Sequence, residues 1–114
     1  MTYAPERVVA DLRELDRRTG GSEGSRRLAW TPDWLQARAF FRESLATVPG
    51  VEVDEDEAGN LWAVLPGARP DTLLVGSHLD SVPKGGWLDG ALGVMSSLEL
   101  LRAVAAEGTP PVTV

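Results

Sequence analysis

Apolar positions along the chain change their spacing from helical to alternating and back, and the changes mark out the elements. From Pro5 to about Arg18, Val8, Leu12 and Leu15 recur at i, i+4 and i+7, with Arg13, Glu14, Arg17 and Arg18 off that stripe, so the spacing predicts an amphipathic helix ended by Gly20-Gly21. A polar, glycine-rich loop over 19–30 follows. The next helix starts sharply: Thr31 is a good N-cap, Pro32 suits the first helical turn and Asp33 favours the positive end of the helix dipole. Trp34, Ala37, Phe41, Leu45 and Val48 then form its apolar face, and Pro49-Gly50 stops it. Spacing of this kind assigns those aromatics to a core rather than to a cofactor box.

The period then shortens. Val51–Asp54 alternates as a strand, an acidic turn and Ala58-Gly59-Asn60 reverse the chain, and Leu61–Leu65 returns as the second strand of a hairpin. The run Asp54–Glu57 lacks the alternating oxygen ligands and glycine of a calcium loop, so a solvated turn is its expected role. Thr72–Ser77 is a short apolar run, the pattern of an inner strand covered on both faces. A helix over about Gly90–Ala106 carries Leu92, Met95, Leu98, Leu101, Val104 and Ala105, and Val112–Val114 begins a further strand. Strand, loop, helix, strand implies a parallel pair joined by a crossover helix. The fold class expected is α/β: part of an α/β/α sandwich with a mostly parallel central sheet, preceded by two helices and a β-hairpin.

Length and composition narrow the functions. With 114 residues there is room for one domain, and an apolar share of 43% suits a packed core. Eleven Lys and Arg against seventeen Asp and Glu give a net charge of −6, so the basic footprint of a nucleic-acid binder is missing. No stretch approaches a membrane span, and the charged N-terminus does not read as a signal peptide. A cytoplasmic protein without nucleic-acid or membrane partners is therefore expected. Cysteine is absent, which removes disulfides and thiolate metal sites.

Chemistry concentrates in Gly76–Val94, GSHLDSVPKGGWLDGALGV. His78, the only histidine, stands at the C-terminal end of the expected strand, where open parallel sheets bind ligands. Asp80 follows at i+2, and Asp89 lies eleven residues beyond His78, just before the last helix. Imidazole and carboxylate suit zinc or manganese, and an i+2 carboxylate can take the second ring N–H of the histidine. Each residue also has an ordinary reading on its own. A single histidine is usually no ligand, Asp89 could be an N-cap, Asp80 a turn residue and the glycines mere turns. Convergence on one strand end makes a metal site a candidate beside those ordinary readings, which the residues alone leave open.

That string resembles the first metal-ligand block of the M20-type amidohydrolases, and most closely the hydantoinase/carbamoylase branch of N-carbamoyl-L-amino-acid hydrolases, allantoate amidohydrolases and ureidopropionases. GGSEGSRRLAWTP resembles that branch's GG…R-L-A…T stretch, and DEDEAGNLWAVLPG its D…GN-L…PG hairpin. The resemblance implies that residues 1–114 form the N-terminal part of a catalytic domain, about a quarter of such an enzyme, without its lid and dimerisation domain. It further implies two divalent ions (zinc, or manganese or cobalt), with His78 binding one, Asp89 bridging both, and Asp80 orienting the histidine and supporting catalysis. A carbamoyl or ureido amino-acid substrate, a homodimer and a cis peptide at Asp89–Gly90 are implied in the same way. Departures are equally plain. No Glu-Glu pair and no second histidine are present, and Glu99 lies too far along its helix to replace a ligand. The 114 residues alone are thus expected to bind metal weakly and to turn nothing over. An M20-type peptidase or acyl-amino-acid deacylase, and a non-catalytic remnant of the fold, are the alternatives.

Overall fold

The computed structural model describes all residues, 1–114. Three helices make the core: α1 (Pro5–Thr19), α2 (Pro32–Leu45) and α3 (Ala91–Ala105). Val8, Leu12 and Leu15 of α1 meet Ala37, Phe40 and Leu45 of α2 and Val94, Met95, Leu98 and Leu101 of α3 in one buried cluster. The Thr31 hydroxyl accepts from the Trp34 amide at 3.4 Å and Pro32 follows it, as the capping residues require. Two details of the stripes differ from expectation. Phe40, beneath the Arg18 guanidinium, is the buried aromatic of α2 while Phe41 is only partly covered, and Leu92 is exposed while Val94 takes the core position. A helix of 3.6 residues per turn presents two neighbouring flanks to a core built from two partners, so the buried stripe is wider than a single i, i+4 row. Ion pairs sit outside that core: Arg102 meets Asp11 at 2.6 Å, and Arg18 joins Glu14 and Glu43.

The loop expected over 19–30 contains a small antiparallel ribbon, β1 (Gly20–Gly21) and β2 (Gly24–Ser25), and Ser25 bridges to Gly85. Two-residue strands of glycine and serine carry no apolar alternation, so no periodicity announces them. The hairpin is as read: β3 (Glu52–Glu55) pairs antiparallel with β4 (Leu61–Val64), Val53 opposite Ala63. Its acidic turn is occupied by protein. Asp56 accepts from the amides of Ala58 and Asn60, the Asn60 side chain and the Trp62 indole, while Glu55 holds Arg38 and Arg42 at 2.9 Å each. These donors, the indole first, hold the Asp56 carboxyl at about 2.

One expectation fails in place and in burial. The strand lies at Arg69–Thr72 (β5), not at Thr72–Ser77, and pairs in parallel with β6 (Val112–Thr113). The Leu73 amide still donates to the Thr113 carbonyl at 2.8 Å, but residues 74–77 pair with no strand. Leu73, Leu74 and Val75 are 50%, 70% and 39% exposed, so the run is not covered on both faces. An apolar strand is buried by neighbours on each side and layers above and below; here β6 is its sole neighbour and reaches only its start. The chain forms three separate two-stranded sheets, of which only β5–β6 is parallel, rather than a broad parallel sheet. Leu65 and Val114 exchange both backbone hydrogen bonds, which ties β6 to the end of the hairpin. Gly67 passes so close to Val112 that a side chain there would run into its backbone.

Candidate functional site

The segment after β5 runs along α3 and ends beside its first turn. Close approach there depends on two glycines. A Cβ at Gly93 would stand 2.6 Å from that of Ser77, and one at Gly90 would overlap the His78 ring and carbonyl. Gly90 also has φ +68° and ψ −47°, with the Ala91 amide donating to the Asp89 carbonyl at 2.7 Å. That is a γ-turn, in the sense of hand that glycine tolerates best. It corrects one expectation: all peptide bonds are trans, Asp89–Gly90 included, and the reversal is made by the positive φ of Gly90. Asp89 is not the N-cap of α3 either. Gly90 occupies that position, and no side chain caps the helix.

His78, Asp80 and Asp89 are brought together on an accessible edge. His78 Nδ1 lies 3.0 Å from the Asp80 carbonyl oxygen and 3.3 Å from its carboxylate. A carbonyl only accepts, so the neutral ring carries its proton on Nδ1 and leaves the Nε2 lone pair free. Nε2 in turn faces Asp89 Oδ1 at 4.0 Å. The pairing of Asp80 with the inner ring nitrogen therefore runs through its main chain as well as its carboxylate. Two donors 4.0 Å apart fall within the span one ion bridges at the usual ~2.0–2.2 Å per bond. The set is nonetheless incomplete, since no group of three or more His, Cys, Asp or Glu residues is placed to hold an ion. Glu99 is elsewhere, buried against Arg7 and the Ala4 amide. His78 and Asp80 also border a groove of about 720 Å³ lined by Trp30, Trp34, Trp62 and Leu74.

Sequence reasoning placed no functional weight on Arg27, yet it is fully buried next to this edge. Its Nε donates to the Leu79 carbonyl at 2.7 Å and its Nη1 to the Ser25 hydroxyl at 2.6 Å. Its main chain exchanges hydrogen bonds with Ser81: the Arg27 amide donates to Ser81 Oγ, and the Ser81 amide to the Arg27 carbonyl. Burial pushes the guanidinium down, while Asp16, Asp80 and Asp89 hold it up. The only available signal was the RRLAW string, which does not distinguish a buried arginine from a solvated one.

Replacing Gly90 by alanine is expected to cost at least about 1–3 kcal/mol, because the side chain must adopt a positive φ and displace His78. Denaturant unfolding measures the loss, and the same variant is expected to bind zinc more weakly than Gly93→Ala.

The model for Peptidase family M28 matches residues 60–114. Relatives make the likeness closer. The chain is 35% identical over 105 residues to an N-carbamoyl-L-amino-acid amidohydrolase of Paenarthrobacter aurescens, covering 90% of this chain and 25% of that protein. It is 38% identical over 76 residues to an allantoate amidohydrolase of Escherichia coli, covering 65% of this chain and 18% of that protein. A hydantoinase/carbamoylase family amidase from Burkholderia ambifaria superposes with a TM-score of 0.87 at 33% identity, over 97% of this chain and 28% of that one. The 114 residues are thus related over nearly their whole length to amidohydrolases of the hydantoinase/carbamoylase branch, and they span about a quarter of the relatives they match. No helix is long and apolar enough to cross a membrane.

Proposed function

We propose that the complete protein is a two-metal amidohydrolase that cleaves a linear-amide C–N bond of an N-carbamoyl amino acid or a related ureido acid. Residues 1–114 are read as part of its catalytic domain, with β5 and β6 the start of a central parallel sheet. One observation carries the reading: the inner nitrogen of His78 is held by Asp80 while its outer nitrogen faces Asp89, in a chain 35% identical to an N-carbamoyl-L-amino-acid amidohydrolase. Bound divalent ions supply a water of lowered pKa and polarise the scissile carbonyl. His78 Nε2 and Asp89 would hold them. Asp80 fixes the imidazole tautomer, so the ring presents a lone pair rather than a proton. Two donors fall short of the three protein ligands of a catalytic zinc, so the remaining ligands and the general base are assigned to residues outside these 114. A lid and dimer contacts are assigned there too.

Ammonia release from N-carbamoyl amino acids by the complete protein is expected, abolished by a chelator and restored by zinc or manganese. The 114 residues alone are expected to show none. Turnover that persists through chelation sinks the metal assignment. The match to Peptidase family M28 over 60–114 supports a second reading, a peptidase. Cleavage of dipeptides or acyl-amino acids, with none of carbamoyl substrates, selects it.

A further inference from the structure

Arg27 is the one buried cation next to the candidate metal edge, and its place there needs a reason. Taking a guanidinium out of water is costly unless its donors are met. Here Nε and Nη1 are met by the Leu79 carbonyl and the Ser25 hydroxyl, while Nη2 is buried with no partner. A core that sought only stability would have an apolar side chain at this position. What the arginine does instead is hold three consecutive residues. The side chain fixes Leu79 through its carbonyl, the main chain of Arg27 fixes Ser81 through its hydroxyl and its amide, and Asp80 is carried between them. Asp80 in turn supplies the carbonyl and carboxylate that face His78 Nδ1. The same side chain reaches β2 through Ser25, whose amide donates to the Gly85 carbonyl in the loop leading to Asp89. Both arms of the site, 78–81 and 85–89, therefore hang on contacts made by Arg27 and its neighbour Ser25. A planar fork suits this task, because its donors leave in fixed directions; a lysine ammonium would keep the charge and lose the directions.

We propose that Arg27 is a positioning residue for the His78–Asp80–Asp89 site, clamping the Leu79–Ser81 backbone so that Asp80 orients the imidazole toward the ion. This rests on the metal-site reading above. Zinc affinity of the complete protein, measured by competition with a fluorescent chelator, tests it. Three variants are compared, Arg27→Lys, Ser81→Ala and His78→Ala, each well below its own unfolding temperature. Arg27→Lys is expected to weaken zinc binding roughly 10–100-fold, the range for groups that support metal ligands, and Ser81→Ala by less. At saturating zinc, kcat of Arg27→Lys is expected to stay low with KM little changed, which a purely structural arginine would not produce in folded protein. Wild-type zinc affinity in folded Arg27→Lys overturns the proposal. Should that variant fail to fold, wild-type affinity in Ser81→Ala overturns it instead. If His78→Ala binds zinc as tightly as the parent, the metal-site reading itself falls, and the role of Arg27 with it.

Discussion

Asp89→Ala in the complete protein is expected to lower amidohydrolase turnover by three orders of magnitude or more, whereas Asp80→Ala lowers it roughly 10–100-fold. The difference follows from what each carboxylate faces. Asp89 Oδ1 looks across 4.0 Å at the free nitrogen of His78. On the proposed reading, losing it removes a direct donor to the ions, whose charge stabilisation is worth several kcal/mol, at about 1.4 kcal/mol per factor of ten. Asp80 touches the other nitrogen, and its main-chain carbonyl, the nearer of its two contacts at 3.0 Å, survives the substitution. Ring orientation is therefore weakened rather than lost. Initial rates of ammonia release, with zinc content measured on the same samples, give both numbers. Equal losses in the two variants would show that the division of roles is wrong.

Glu99→Ala is expected to destabilise the fold by about 3 kcal/mol, measured by denaturant unfolding, without touching the His78–Asp89 edge. The Glu99 side chain is 0% exposed and accepts from Arg7 at 2.5 and 2.9 Å and from the Ala4 amide at 2.9 Å, with Arg102 at 3.5 Å. It ties the start of α1 to the middle of α3, so its removal leaves a buried amide without an acceptor and Arg7 without its partner, while Arg102 keeps Asp11. Glu99→Gln, which keeps the shape and one acceptor, is expected to lose less. The pH dependence has a defined sign. The bond from Arg7, first among the causes, holds the Glu99 carboxyl below its ordinary value. Its contribution is complete above the ordinary glutamate range and declines as pH falls through the lowered value. The gap in stability between parent and Glu99→Ala should accordingly narrow only in acid.

Helices were legible because their signals are local. Thr31-Pro32-Asp33 announces a start, and Val8, Leu12 and Leu15 need only their spacing to find the core. The hairpin likewise carried its turn in Ala58-Gly59-Asn60. What could not be read depends on distant partners. Leu73–Val75 has the composition of an inner strand, but burial is a property of neighbours, and here only β6 lies beside its start. His78, Asp80 and Asp89 lie near one another although no strand ends at His78, and the contact through Asp80's carbonyl had no signal in the sequence, because backbone acceptors have no signature. Arg27 was invisible for a related reason. Charge in a sequence implies solvent, and only the hydroxyl of Ser25 and the carbonyl of Leu79, 52 residues away, overturn that rule.

The uncovered apolar segment after β5 also bears on how this polypeptide behaves at high concentration. Leu73, Leu74 and Val75 combine branched, β-prone side chains with backbone N–H and C=O groups that no strand satisfies beyond Leu73. A flat apolar edge of this kind is a template onto which the same segment of another molecule can add, in register, and continue adding. Asp71 and Asp80 are the nearest charged residues on either side, and no charge lies between Thr72 and Ser77 to interrupt such stacking. For the 114-residue polypeptide handled alone, precipitation would thus begin at a definite place, and a lysine at Leu74, 70% exposed and outside the core cluster, is the change that would interrupt it at least expense to the fold.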